Sequence, residues 1–279
     1  MIVYLFLACS SDPQTNNSPQ QNADQAIAQE EKAQKPFAGK INLAEEVIQT
    51  DVLAPSPLET ERAVKKAGLT TALSDLVQAK GNRNFDFSDA PTDKAALQTG
   101  VLLCDLILSI EERPKESSLK TFENIVVGMK QMKVGKGLLS TIEDLKSQFE
   151  TDAISAKDLL EELDNIAALS VPGEGFSKDD DTGPLLQAGA WVSGVQLVAE
   201  AIKKENKLET AEKLLRLEHV ADYFLKYAKG EGSKKAPSEV RNQLISSLEH
   251  LKKLSVKKKI AISDLDSAIL ETETLLEML

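Results

Sequence analysis

The sequence has few of the residue types from which catalytic and metal sites are usually built. Its 279 residues include two cysteines, two histidines and one tryptophan, and only 4% of them are aromatic. Two thiols exclude the zinc sites that need three or four cysteines. His219 and His250 each directly follow a glutamate, and adjacent helical residues point about 100° apart, so neither forms the Glu-x-x-His face of a di-iron bundle. We therefore expect no metal ion and no cofactor.

Basic residues and long apolar runs are also scarce. There are 33 lysines and arginines against 44 aspartates and glutamates, which gives a net charge of −11. This excess of negative charge repels a phosphate backbone, so we predict no nucleic-acid partner. The most apolar stretches, 95–110 and 184–199, fall short of the roughly 20 residues that span a bilayer, and the first contains Asp105. We therefore predict a soluble body.

The residues that are abundant favour helices. Leucine, alanine, lysine and glutamate dominate, and runs of β-branched residues are scarce. Apolar residues recur at helical spacing from Pro57 onward, interrupted by turns that contain glycine and proline. We predict an all-α fold over residues 57–279, a helical bundle of about nine helices: 58–79, 92–112, 117–133, 137–150, 154–169, 184–206, 208–229, 237–254 and 261–278.

Two of the predicted helices are apolar on nearly every face, which is typical of helices that are surrounded by others. Their apolar stretches cover residues 95–110 and 184–202. A glycine inside a helix costs about 1 kcal/mol relative to alanine, so Gly100, Gly189 and Gly194 indicate places where another helix approaches closely. We expect the two helices to pack against each other or against a shared neighbour.

Short matches indicate an internal repeat. The segment from Leu97 to Gly100 (Leu-Gln-Thr-Gly) parallels that from Leu186 to Gly189 (Leu-Gln-Ala-Gly) at an offset of 89 residues. The same offset relates residues 119–125 to 208–214. Two matches with one offset, in the same helical order, favour duplication over chance. We predict two related four-helix units packed together behind a leading helix: residues 91–170 and 183–279.

Asp105 is the one acidic residue inside the first apolar helix. A buried carboxylate without a partner has a raised pKa, and perturbed acids cluster at functional sites. The more ordinary alternatives are an exposed strip of the helix, or pairing with a lysine or a backbone group. Cys104 has no histidine or cation beside it in the sequence, so we interpret it as a small core residue. No catalytic triad or paired-carboxylate motif emerges, and we predict that the protein is not an enzyme and has no catalytic residues.

Two loops and one basic cluster invite a ligand-binding interpretation. Residues 179–183 are acidic, but the sixth position of an EF-hand loop starting at Asp179 would be Pro184 rather than glycine. The glycines between 128 and 137 lack the spacing of a phosphate loop. Five lysines either meet anionic lipid or an acidic partner, or complement a helix C-terminus: Lys252, Lys253, Lys257, Lys258 and Lys259.

The N-terminus carries the clearest functional motif. A short apolar run over residues 2–8 ends at Cys9 and gives way to a polar segment. This pattern resembles the lipobox of bacterial lipoproteins. No lysine or arginine precedes Cys9, so residues 1–8 are interpreted as a truncated or atypical signal segment. The resemblance implies lipidation of Cys9 and a lipid-anchored location in the bacterial cell envelope, facing the periplasm or on the outer membrane. Residues 9–56 are then the lipidated cysteine and a disordered tether.

These features together predict a non-catalytic envelope lipoprotein whose helical body is a scaffold or binds an envelope protein partner. The acyl chain on Cys9 would make the membrane its other partner. The alternative is a carrier that binds an apolar small molecule between the two central helices. Its ligand would lie near Gly100, Asp105 and Trp191, which is the only tryptophan.

Overall fold

Helices account for most of residues 54–168, 182–230 and 234–279, which are the parts of the chain that the computed structural model describes. These parts contain eleven helices and no strand, so the predicted all-α helical bundle is confirmed. Cys9, the predicted tether up to residue 53 and the acidic residues 179–181 lie outside the described residues. The helices are α1 Pro57–Lys66, α2 Leu73–Lys80, α3 Thr92–Ser109, α4 Lys115–Gln131, α5 Lys136–Glu150, α6 Ala156–Ala168, α7 Thr182–Glu205, α8 Leu208–Leu214, α9 Glu218–Lys229, α10 Ser238–Ser255 and α11 Ile262–Met278.

Two predicted helices are each divided in two, which explains why there are eleven rather than nine. The leading helix breaks where Gly68 adopts a left-handed conformation, with φ at +88°. The turn that follows is held by Glu205, whose carboxylate accepts hydrogen bonds from the backbone N–H groups of Thr70 (2.7 Å) and Thr71 (2.5 Å). In a continuous helix these two N–H groups would instead donate to backbone carbonyl oxygens of the helix, so their bonds to Glu205 stabilise the break.

The second break separates α8 from α9, inside the predicted helix 208–229. Leu215 and Leu217 line one cavity beside α7. Residues two apart on a helix point about 200° apart, so a continuous helix would have turned one of these leucines away from the core. The break lets both side chains pack inward.

The first helix is fixed to the body at its N-terminus. Ser56 Oγ accepts a hydrogen bond from the N–H of Glu59, and the Glu59 carboxylate accepts one from the N–H of Ser56, which forms a capping box. The Ser56 hydroxyl also donates to Asp164 Oδ2 (2.7 Å), and the N–H of Leu58 donates to Asp164 Oδ1 (3.0 Å) on α6. The body therefore includes Ser56 and begins before Pro57, the residue at which it was predicted to start.

Helices α3 and α7 form the centre of the bundle and pack against each other along much of their lengths. Nearly every residue of both helices is buried. By length and composition α7 is apolar enough to cross a membrane, the only such helix in the described parts, so the prediction that its apolar stretch is too short to do so is wrong. Most of that stretch is buried in the bundle, as in a core helix.

The two central helices touch backbone to backbone at a pair of glycines. A Cβ atom placed on Gly100 would lie 1.9 Å from the carbonyl oxygen of Leu186, and one placed on Gly189 would lie 2.2 Å from the carbonyl oxygen of Leu97. The predicted close approach is therefore confirmed at both positions. The contact is reciprocal, because each Leu-Gln-x-Gly segment meets the other. A duplicated pair related by a two-fold axis would make such a contact, although duplication itself stays a prediction.

The remaining helices surround this pair. Helices α2 and α4 pack on α3, α5 packs on α4, and α1 and α6 contact both central helices. On the other side, α11 packs on α7, and α9, α10 and α11 pack in succession. A second close approach holds α4, where a Cβ on Gly128 would lie 2.1 Å from Thr99 Oγ1. Every face of α3 and α7 is thus covered over most of its length.

Replacing Gly100 with alanine should destabilise the fold, because the new Cβ would overlap the Leu186 carbonyl oxygen. We expect the free energy of unfolding to fall by about 2–3 kcal/mol. The close approach predicted at Gly194 is wrong, because a Cβ there would meet only Thr60 Cγ2, at 4.0 Å, and Gly194 is therefore the matched control. Gly194→Ala should raise the free energy of unfolding by about 0.5–1 kcal/mol through helix propensity. Urea denaturation measures both, and effects of the same sign would contradict this interpretation.

Candidate functional site

A buried polar cluster lies between α3 and α7, with Asp105 at its centre. Arg83 reaches it from the segment that joins α2 to α3. Its Nη1 donates to Asp105 Oδ1 (3.2 Å) and to Ser193 Oγ (3.0 Å), and its Nη2 donates to Gln196 Oε1 (3.5 Å). One guanidinium group therefore connects this segment to both central helices.

The charge of Asp105 is balanced inside the protein. Only 4% of the residue is exposed, and this burial raises the pKa of its carboxyl, while the nearby charges of Arg83 and Arg113 oppose the increase. Asp105 thus does not lie on an exposed strip, and it pairs with an arginine rather than with a lysine or a backbone group. Its partner is an arginine 22 residues upstream, which no helical spacing rule could connect to it.

Cys104 is fully buried beside this cluster. Burial, together with the negative charge of Asp105, raises the pKa of its thiol well above the ordinary range. Nucleophilic cysteines need a thiolate and access to their substrate, and Cys104 has neither. The structure therefore agrees with its interpretation as a small core residue.

An open cleft of about 380 Å³ borders Arg83. Its two cations are already paired, Lys80 with Glu200 at 2.7 Å and Arg83 with Asp105. Two acidic side chains of α11 are exposed at its edge, so the cleft presents a negative surface that suits a cationic or hydrogen-bonding group. The lining residues are Lys80, Arg83, Asn84, Phe85, Gln196, Glu273, Leu276 and Glu277.

A second, smaller cavity of about 120 Å³ lies beside Trp191. Its walls come from the start of α1, from α7 and from the link between α8 and α9, and most of them are apolar. Trp191 is 5% exposed and its ring lies 5.6 Å from that of Phe224. The indole Nε1 has no hydrogen-bond partner among the residues that the structure describes. An unpaired buried N–H group is costly to the stability of the fold.

The three residues predicted to surround a ligand are not brought to one cavity. Gly100 lies at the crossing of the central helices, where the two backbones are in contact. Asp105 belongs to the polar cluster, and Trp191 lines the separate apolar cavity. On α7 the side chains of Trp191 and Ser193 point about 200° apart, which separates the two environments. Sequence reasoning missed Arg83, whose only signal is a cation in a predicted helix break.

The two histidines do not contribute to either cavity. His219 is exposed near the start of α9, and His250 is half-buried on α10. Across residues 54–168, 182–230 and 234–279, no three side chains of histidine, cysteine, aspartate or glutamate are grouped to hold a metal ion. The candidate sites are therefore the polar cluster with its cleft and the apolar cavity at Trp191.

Comparison with known protein families, with curated proteins and with solved structures finds no match for this chain. The family to which it belongs is therefore not shown. The proposals that follow rest on the N-terminal motif, on the buried polar cluster and on the two cavities described above.

Substitution of Asp105 by asparagine should lower the free energy of unfolding by about 2–4 kcal/mol, because it removes the counter-ion of Arg83, whose side chain is only 15% exposed. Arg83→Met should cost a similar amount, and the double variant should cost less than the sum of the two. The exposed pair Lys115–Asp152 is the matched control, with side chains 37% and 84% exposed. Asp152→Asn should change stability by less than about 1 kcal/mol.

Urea denaturation of the four variants measures these differences. Additive effects of Arg83→Met and Asp105→Asn would contradict direct coupling between the two side chains. A cost for Asp105→Asn no greater than that for Asp152→Asn would show that burial of the pair adds nothing.

Proposed function

We propose that this protein is a non-catalytic, lipid-anchored component of a bacterial cell envelope, in which the helical body serves as a scaffold or binds a protein partner. The observation that carries this proposal is the lipobox-like run that ends at Cys9. The 44 residues from 10 to 53 are then a polar connection between the anchor and the body.

The state of the candidate catalytic groups is compatible with a binding role. Asp105 is paired with Arg83, and Cys104 is buried with a raised thiol pKa that keeps it protonated. A general base or a nucleophile must reach its substrate, and neither residue does so in this arrangement. The surface of the body is largely charged and helical, which suits protein contacts along exposed helix faces.

Lipidation is the direct test. The chain should be cleaved before Cys9 and carry acyl groups on that residue, because a lipobox is read by the enzymes that process lipoproteins. Intact mass measurement of the membrane fraction and labelling with an alkyne fatty acid measure this. Cys9→Ala should abolish the label. Cys104→Ala is the matched control and should retain it, and an unmodified chain that still begins at Met1 would overturn the proposal.

A second candidate function, a carrier for a small apolar molecule, is favoured by the cavity at Trp191. Its volume of about 120 Å³ approaches the roughly 150 Å³ that holds a benzene-sized ligand in other proteins. This ligand position differs from the one expected between the central helices, since the cavity lies between α7, α1 and the α8–α9 link.

The fluorescence of Trp191 should respond to such a ligand, because the chain contains no other tryptophan. Titration with small aromatic ketones, phenols and short-chain acids would cover apolar molecules that bear one acceptor. Ala63→Leu fills the cavity from α1 and should remove the response. A flat response across the panel, or one that Ala63→Leu leaves unchanged, would dismiss the carrier function.

A further inference from the structure

A short exposed turn between α10 and α11 carries most of the basic cluster seen in the sequence. Lys257, Lys258 and Lys259 are all exposed there, and Lys253 is exposed on the last turn of α10. The buried side chain of Ile260 anchors the turn to the core. Arg216 also fixes the turn, because its Nη2 donates hydrogen bonds to the carbonyl oxygens of Lys257 (3.2 Å) and Lys258 (3.0 Å). The turn is therefore fixed with its lysines directed outward.

Ion pairing leaves three of these lysines free. Lys252 pairs with Asp222 and Lys257 pairs with Asp264, each at 2.5 Å. Lys253, Lys258 and Lys259 form no ion pair with any residue in the described parts of the chain. These three cations lie within seven residues of one another in a protein whose net charge is −11. A negatively charged surface would meet attraction here and repulsion over much of the remaining surface.

Two exposed apolar side chains flank the same turn. Val256 is 57% exposed and Ile262 is 44% exposed, and these are two of the four large apolar side chains exposed in the described residues. Lysines beside exposed aliphatic side chains are typical of surfaces that lie on anionic bilayers. On such surfaces the lysines contact the lipid headgroups, and the aliphatic side chains enter the boundary between headgroups and acyl chains.

The turn also lies near the point where the chain enters the body. Pro55, just before α1, lines the apolar cavity together with Leu215 and Leu217. Arg216, between those two leucines, is the residue that holds the lysine turn. Pro55 and the basic turn are thus linked through the segment between α8 and α9.

We propose that residues 253–262 form a membrane-contact surface that binds the anionic headgroups of the bilayer to which Cys9 is anchored. Its role beside that bilayer rests on the proposed lipidation, but its affinity for anionic lipid does not. The surface would orient the body, because the acidic remainder of the protein is repelled by the same bilayer. Acylation would attach the protein to the bilayer, and the basic turn would set the orientation of the helical body on it.

Vesicle flotation of the full chain with Cys9→Ser tests the surface without the acyl anchor. We expect binding to vesicles of phosphatidylcholine mixed with anionic phosphatidylglycerol, and much less to phosphatidylcholine alone. Each lysine near an anionic surface contributes about fivefold, so Lys258→Gln with Lys259→Gln should weaken binding about 25-fold. Raising the salt concentration should weaken it further.

A matched control removes the same charge elsewhere. Lys120 and Lys136 are exposed on α4 and α5, and Lys120→Gln with Lys136→Gln should leave vesicle binding within about twofold. Val256→Ser with Ile262→Ser should weaken the binding that remains at high salt. If both double lysine variants lost the same amount of vesicle binding, the binding would depend on net charge alone, and the proposal would be overturned.

Absence of binding to anionic vesicles would also overturn it, and would favour an acidic protein as the occupant of the turn. The Cys9→Ser chain is not acylated in any case, so that result would leave the proposed lipidation unaffected. Conversely, a chain that proves not to be acylated in cells would leave the vesicle result unchanged. The two proposals therefore fail separately.

Discussion

The backbone contact between Gly100 and Gly189 sets the separation of the two central helices, and the rest of the bundle is arranged around that separation. The carbonyl oxygens of Leu97 and Leu186 occupy the positions that side chains would otherwise take. No rotamer change can relieve such a contact, because no side chain is involved. The close crossing also brings Asp105 and Ser193, each about one turn beyond the crossing, within reach of a single guanidinium group.

Helix α7 divides the interior into two chemically different environments. One side carries Ser193 and Gln196, which share the Arg83 guanidinium below an open acidic cleft. The other side carries Trp191, Val195 and Val198, which line an apolar cavity. A molecule bound in one environment would have no contact with the other. A buried ion pair contributes little net stability, because desolvation offsets its attraction, so the Arg83–Asp105 pair is better understood as fixing how the α2–α3 segment sits on the core.

The sequence was enough to predict the all-α fold, most helix positions and the close crossing of α3 and α7, because apolar periodicity and glycines inside an apolar helix are local signals. The breaks at Gly68 and Leu215 were not, since they depend on Glu205 and on the cavity beside α7, which come from distant parts of the chain. The partner of Asp105 was missed for the same reason. Arg83 lies in a segment without periodicity, and only the packed fold brings it between the helices.

The attachment of the first helix has a mechanical consequence. A pull on the chain before residue 54 reaches the body at Ser56 and Leu58, both of which hydrogen-bond to the carboxylate of Asp164. Asp164 is 108 residues away from Ser56 in sequence, on a helix that packs against the central pair. The load is therefore shared by two bonds at once and transmitted to the core, rather than unwinding α1 one turn at a time. A force applied at the N-terminal end of the body would therefore be borne first by the contacts of Asp164.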